Sequence, residues 1–467
     1  TSRRQRQMCI RDRENTNELK QNKMGTAPLF RLIMSMALPA MFSMLVQALY
    51  NIVDSIFVSM KGEAALGAVN LAFPMQFLMT SVAVGTGIGI NSLVSRRLGE
   101  GRKQEADKTA TYSLMLGIFS WLIFLLLGIF AVHPLISVFT NDPETYQYSV
   151  EYLSIVFIFS IGIFVEVNIE KTLQGTGNTV FPMAFQLVGA ITNIILDPIF
   201  IFTFDLGVKG AAIATIIGQI FSMIFALLIL FIRKNGIKVD FNFFKKIDWK
   251  VIIDVYRVGL PSIVMQSIGS FMIFGLNLIL TGFSITAVNV LGVYYKLQSF
   301  IFMPVFGLTH GVMPIMGYNY GAKNKDRLMK SLKYSLFIAL VIMGIGLIIF
   351  QVFPRELLAM FNATDDMYAI GIPALRLISL CFLPAAVGIM FSTVFQAVGR
   401  GIRSLIISLL RQLCLILPIA YVLSFFGVTF VWLAFPLAEI LSIIVSVIFF
   451  VTLYNKELKF LSTKEPR

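Results

Sequence analysis

Residues 38–59 read LPAMFSMLVQALYNIVDSIFVS. The run holds one proline, Pro39, and one charge, Asp54. As a helix it would measure about 33 Å, enough to cross a hydrocarbon core of roughly 30 Å. It is too long for a soluble strand. A transmembrane barrel would need short segments of alternating polarity, and this run does not alternate.

The pattern recurs along the whole chain. Twelve apolar runs are long enough to span a bilayer: Phe30–Ser59, Leu66–Val94, Thr109–Val132, Tyr148–Leu173, Val180–Phe204, Val208–Ile232, Val251–Leu280, Thr286–His310, Leu328–Val352, Tyr368–Phe395, Ile402–Phe425 and Val428–Tyr454. Composition agrees. Of the 467 residues, 57% are hydrophobic and 13% charged, where a soluble domain carries about 25% charged residues. Mean hydropathy is +0.82. The expectation is an all-α integral membrane protein with twelve transmembrane helices.

The net charge of +13 is a topology signal and does not imply nucleic acid. With the amino terminus inside, the outer loops hold three basic residues, Lys61, Lys209 and Arg355, and the spans hold Lys296, Arg376 and Arg411. All the others, Lys171 among them, fall on the inner side. Basic residues collect on the cytoplasmic face, so both termini are expected there, in the cell membrane. Residues 1–13, TSRRQRQMCIRDR, lack the apolar centre of a signal peptide. They read as a non-native extension or a basic tail. Cys9, Cys381 and Cys414 suggest no disulfide framework.

The chain repeats itself at an offset of 222 residues. Pro39 matches Pro261. Gly85, Gly89 and Gly99 match Gly307, Gly311 and Gly321, and Gln174 and Gly177 match Gln396 and Gly399. Each half holds six spans, so the halves share one orientation as a parallel internal repeat. The expected organisation is a tail (1–24), an amino-terminal lobe (25–235), a cytoplasmic linker (236–250), a carboxyl-terminal lobe (251–455) and a second tail (456–467). Repeats of this kind are the plan of secondary transporters.

The halves differ in their acids. Asp54 in span 1 and Asp197 in span 5 have Leu276 and Ile419 as repeat mates. An ionisable group inside a membrane is costly and marks function. Asp54, Asp197 and Thr215 of span 6 fall at one level, roughly 7–10 Å below the outer surface. Asn193 lies one turn from Asp197 on the same face. If spans 1, 5 and 6 pack together, these oxygens suit a small hard cation, and two nearby carboxylates also share a proton. The coupling ion is therefore Na⁺ or H⁺. The alternatives are structural: Asp197 answers a backbone group freed by Pro198, or Asp54 faces outer water. Pro39 is a hinge or a static kink.

At these residues the chain resembles the multidrug and toxic compound extrusion (MATE) transporters, over about residues 20–455. The matching pieces are LPAMFSMLVQALYNIVDSIFVS, QGTGN (174–178), ITNIILDP (191–198) and AAIAT (211–215), with GLPSIVMQ (259–266), MGYNYGAKN (316–324) and QAVGRG (396–401) in the second half. The resemblance implies two six-helix lobes around a V-shaped cleft. It also implies export of cationic or amphipathic compounds against inward H⁺ or Na⁺ flow. It implies cation binding at Asp54, Asn193, Asp197 and Thr215, a hinge at Pro39, and Gln47 in the cleft. A family branch with an acid in span 7 is not matched, since Leu276 and Asn277 stand there.

Tyr50, Tyr152, Tyr294 and Tyr295 are candidate cleft aromatics. Lys296, Arg376, Arg411 and Glu439 are expected to pair inside the carboxyl-terminal lobe. Glu166 is read as a cleft guard, and Glu170 is expected at the interface beside Lys171. His133 and His310 are read as packing or interface residues. Neither HExxH nor GxSxG occurs, so no enzyme, cofactor or transition-metal site is expected, and the chain is expected to act as a monomer. The loop RRLGEGRKQEAD (96–107) lacks the major-facilitator pattern. A lipid-linked oligosaccharide flippase is the alternative function, and its cleft should carry more basic residues.

Overall fold

A computed structural model describes residues 22–61, 63–140, 142–233, 236–245, 247–361 and 363–461. The amino-terminal extension with Cys9, and the end of the carboxyl-terminal tail from 462, lie outside the described residues. Helices dominate, and no strand occurs among the described residues. This follows from the solvent. Lipid offers no hydrogen-bond partners, so each segment must satisfy its own backbone.

The spans are α1 (Leu29–Ser59), α2 (Glu63–Gly99), α3 (Lys103–Phe130), α4 (Pro143–Ile158 and Ile161–Gly175), α5 (Val180–Pro198), α6 (Gly207–Ile232), α7 (Trp249–Thr281), α8 (Ile285–Gly321), α9 (Lys325–Val352), α10 (Asp365–Ser379 and Phe382–Ala397), α11 (Gly401–Leu409, continuing to Ser424) and α12 (Ala434–Lys456). Ten spans qualify alone by length and hydropathy, and counting each bent pair as one span gives twelve. Several helices, α2 and α3 among them, run past the apolar stretches into polar turns. Hydropathy marks only the part that matches the hydrocarbon, while helical hydrogen bonding continues into the interface.

Two spans bend, α4 by 47° and α10 by 45°. Their first arms start at Pro143 and Asp365, one repeat apart, behind N-caps at Asp142 and Thr364. Local chemistry explains the breaks. In α4, Ser160 Oγ donates to the Phe157 carbonyl at 2.8 Å. In α10, Pro384 enters the first turn of the second arm, where its missing N–H does least harm. Pro39, by contrast, lies inside an unbroken helix.

The lobes meet through α1 against α8 and α2 against α7. The repeat glycines make this contact. A Cβ on Gly85 would lie 2.6 Å from the Ile263 amide nitrogen, and one on Gly307 would lie 2.6 Å from the Met41 amide nitrogen. Residues 41 and 263 are themselves repeat mates. Gly99 likewise abuts the Tyr318 carbonyl, and Gly321 the Arg96 carbonyl. Backbone therefore lies on backbone, related by a pseudo-twofold axis. Polar bonds reinforce the same end of the bundle. Ser92 Oγ donates to the Gln396 carbonyl at 2.6 Å, and Arg97 pairs with Asp254 at 3.0 Å. Tyr112 receives the Asp248 N–H at 2.9 Å, tying the inter-lobe linker to α3.

Gly311 faces Ala37 of α1, and an added Cβ would lie 2.7 Å from that backbone. Gly311→Val is expected to destabilise the purified protein by about 1–3 kcal/mol through overpacking. Gly292 has nothing within 4 Å, so Gly292→Val should leave the melting midpoint unchanged. Thermal unfolding of the two variants in detergent checks the contrast, and equal midpoints would contradict the backbone-on-backbone interface.

Candidate functional site

In the amino-terminal lobe, α1 packs on α5 and α5 on α6. That packing brings Asp54, Asn193, Asp197 and Thr215 together. Asp197 is 0% exposed, Asn193 2% and Thr215 3%. Asn193 Nδ2 donates to Asp197 Oδ1 at 3.2 Å and approaches Thr215 Oγ1 at 3.3 Å. One amide thus ties the acid on its own helix to the hydroxyl of α6. The i, i+4 spacing of Asn193 and Asp197 makes this possible.

Asp54 arrives from α1 close enough to Asp197 for the two carboxyl groups to interact electrostatically. Two carboxyl groups placed together favour sharing a proton or binding a cation. Three oxygens here, Asp54 Oδ1, Asp197 Oδ2 and Asn193 Oδ1, are buried with no hydrogen-bond partner. A buried acceptor without a donor costs free energy. A proton would serve the two carboxyl groups, and a small cation is the kind of ligand that takes several such oxygens.

Tyrosines border the pair. The Tyr50 hydroxyl stands near Thr215 and within electrostatic reach of both aspartates. Tyr152 is packed inside the lobe at 2% exposure, and its hydroxyl donates to Gln76 Oε1 at 3.3 Å. It therefore supports the site from within and lines no open surface. Gln47 is half-buried on α1. At the rim, the Lys61 ammonium pairs with Asp205 and holds its carboxyl below the usual range. This pair ties the loop after α1 to the loop before α6.

The carboxyl-terminal lobe departs from expectation. Arg411 pairs with Glu439 at 3.2 Å, as the buried charges suggest. Lys296 and Arg376 do not join them, and both are exposed. Lys296 belongs to an outward stripe with Gly292 and Phe300, set by the i, i+4 period. Arg376 Nε donates to the Gln351 carbonyl at 3.2 Å, at the end of α9. There a guanidinium meets the unpaired carbonyls of a helix terminus. Tyr294 is wholly buried against Phe350 and Phe435, so it too is core, and Tyr295 is half-buried beside it.

Sequence reasoning missed a second polar cluster. Glu170 and Lys171 are only 1% and 2% exposed, contrary to an interfacial position. The Lys171 ammonium lies 2.8 Å from Glu170 Oε1, 3.2 Å from Gln174 Oε1 and 3.3 Å from His310 Nδ1 of the other lobe. Glu170 also accepts from Gln174 Nε2 at 2.7 Å and Gln186 Nε2 at 3.0 Å. The bend in α4 turns this arm inward, and no local sequence pattern announces it. The available signal was the repeat match of Gln174 with Gln396, beside two charges that lie within an apolar run.

A two-lobe helical bundle with broken spans and a buried acid pair in one lobe defines a membrane transporter architecture. The chain belongs to the MatE family, whose model matches it twice, over residues 39–199 and 261–422. The two matches start one repeat apart. Among its relatives is the multidrug export protein MepA of Staphylococcus saprophyticus, 26% identical, with 86% of this chain and 90% of the relative covered. MepA of Staphylococcus aureus is 26% identical over 88% and 91% of the two chains. Among solved structures, an outward-facing multidrug resistance MATE family transporter of the MOP superfamily superposes with a TM-score of 0.90 at 27% identity, covering 94% of this chain and 99% of that one. A MOP superfamily transporter from Pyrococcus furiosus gives 0.89 at 27% identity with the same coverage.

The Arg411–Glu439 pair yields a stability prediction. Arg411→Leu would leave a carboxylate at 5% exposure without its partner, at a cost of about 3 kcal/mol. The double variant Arg411→Leu/Glu439→Gln is expected to regain most of that loss. A double-mutant cycle read by thermal unfolding checks it, and additive losses would mean the two groups do not interact.

Proposed function

We propose that this protein is an antiporter that exports amphipathic organic cations in exchange for H⁺ or Na⁺. The coupling ion binds between Asp54 and Asp197, with Asn193 and Thr215 completing its surroundings. The observation that carries this reading is a pair of aspartates from different helices inside the lobe, each with a buried oxygen left without a donor, beside the equally unpartnered Asn193 Oδ1.

The exchange follows from charge. The pair can be neutralised by an entering ion or by a substrate cation drawn to the same negative field, and each occupant weakens the attraction for the other. Asn193 donates to the charged form of Asp197 and keeps it oriented, while Tyr50 and Gln47 offer polar and aromatic surface to a cationic substrate. Met and Phe, 22 and 43 in number, supply adaptable apolar walls. The lobes rock about the glycine contact to open the cleft to alternate sides. The basic loops set both termini in the cytoplasm, and the chain works in the cell membrane as a monomer with no organic cofactor. The MepA relatives are multidrug export proteins that align with most of this chain, which supports multidrug export.

Asp54→Asn and Asp197→Asn are each expected to abolish drug resistance in an efflux-deficient host while the protein stays in the membrane. Dye efflux from proteoliposomes under separate H⁺ and Na⁺ gradients then names the ion. Full resistance with either variant would remove that acid from the mechanism. Transport indifferent to both gradients would end the antiport reading.

A further inference from the structure

One buried acid of the amino-terminal lobe, read from the sequence as a cleft guard, takes no part in the aspartate site. Glu166 lies on the second arm of α4, one turn before Glu170. It is 7% exposed and its Oε1 has no hydrogen-bond partner, while nearby Ser222 of α6 donates its hydroxyl to the Phe185 carbonyl at 2.8 Å. Two more buried oxygens without a donor flank it, Gln219 Oε1 on α6 and Gln186 Oε1 on α5. Gln219 packs on Gly162, which is one turn of α4 from Glu166. Gln186 is fixed by its bond to Glu170 Oε2. Three helices thus bring buried oxygens without donors, those of Glu166, Gln219 and Gln186, into this part of the lobe. A proton or a small cation is what such a region holds.

Its position relates it to the aspartate pair. From Thr215, Gln219 lies one turn along α6 and Ser222 two turns, about 6 and 10 Å. From Asn193, Gln186 lies seven residues back along α5, also about 10 Å. Both helices lead away from the Lys61–Asp205 rim. Beyond Glu166 the polar file continues through Glu170 and Lys171 to His310, at the lobe interface. The groups that face Glu166 are Glu170 and Lys171 on its own helix, Ser222 on α6, and His310 on α8 by way of Lys171. Neighbouring α2 and α3 present Gly87, Asn91 and Ser113, none of which titrates.

We propose that Glu166 is a second station for the coupling ion, taking it after the Asp54–Asp197 pair and handing it on toward His310. This rests on the antiport reading. Glu170 cannot hold the ion while Lys171 occupies it. The ammonium also repels a cation at the end of the file, so the Lys171–His310 contact closes the path while the lobes touch. When the lobes part at this end, that contact opens and the ion leaves Glu166.

The test uses purified full-length protein and two readouts. Equilibrium binding of ethidium in detergent, measured with H⁺ or Na⁺ raised, reports the aspartate pair. Gradient-driven ethidium efflux from proteoliposomes reports passage. Glu166→Gln is expected to keep ion-sensitive binding within about twofold while efflux falls by about tenfold or more. Glu166→Asp, which retains the acid, should recover a substantial part of the rate. Efflux at the wild-type rate in Glu166→Gln overturns the proposal. So does loss of ion-sensitive binding, because Glu166 would then belong to the first site. Should Glu166→Gln fail to fold, Gln219→Leu carries the same expectation with a smaller loss, about threefold, and an unchanged rate overturns the proposal. Asp197→Asn in parallel separates the two readings. If it retains ion-sensitive binding, the antiport site itself falls, whatever Glu166 does.

Discussion

The lobes touch where side chains are missing. Gly85 and Gly89 let α2 lie on α7, and their repeat mates Gly307 and Gly311 let α8 lie on α1. In lipid there is no hydrophobic force to press helices together, so close backbone packing is what holds them. The contact lies toward the end of the helices that carries Arg96 and Arg97, where Arg97–Asp254 and Ser92–Gln396 add polar bonds. The aspartate pair lies toward the opposite end, where α1 packs on α5 and α5 on α6 within the amino-terminal lobe.

Within that frame the two lobes have divided the work. The carboxyl-terminal lobe matches Arg411 with Glu439, and that neutral pair needs nothing further. The amino-terminal lobe holds Asp54 against Asp197 with only an amide and hydroxyls around them. An ion pair balances itself in low dielectric, whereas two acids set side by side do not. The two lobes thus give different answers to one desolvation problem, built on the same repeat.

The bends in α4 and α10 show how far the repeat extends. Both breaks occur at equivalent positions, although one uses a serine and the other a proline. Architecture is retained where the local chemistry differs. In α4 the bend has a further effect, since it carries Glu166, Glu170 and Lys171 into the lobe and toward α8.

Much was legible in the chain itself. The twelve apolar runs, their repeat and the unmatched acids follow from the periodicity of hydropathy and from the cost of a charge in lipid, both of which are properties of residues in order. The common level of Asp54, Asp197 and Thr215 followed from depth along the helix, because a rise of about 1.5 Å per residue converts sequence position into level, whereas the packing of spans 1, 5 and 6 against one another did not. Rotation about the helix axis and changes of its direction are not encoded that simply. Lys296 turns outward, Arg376 caps α9, Tyr152 and Tyr294 are core, and the Glu170–Lys171 pair is buried. Each of these depends on which neighbouring helix a face meets. That is fixed by packing between segments far apart in the chain, so the tertiary structure alone could decide it.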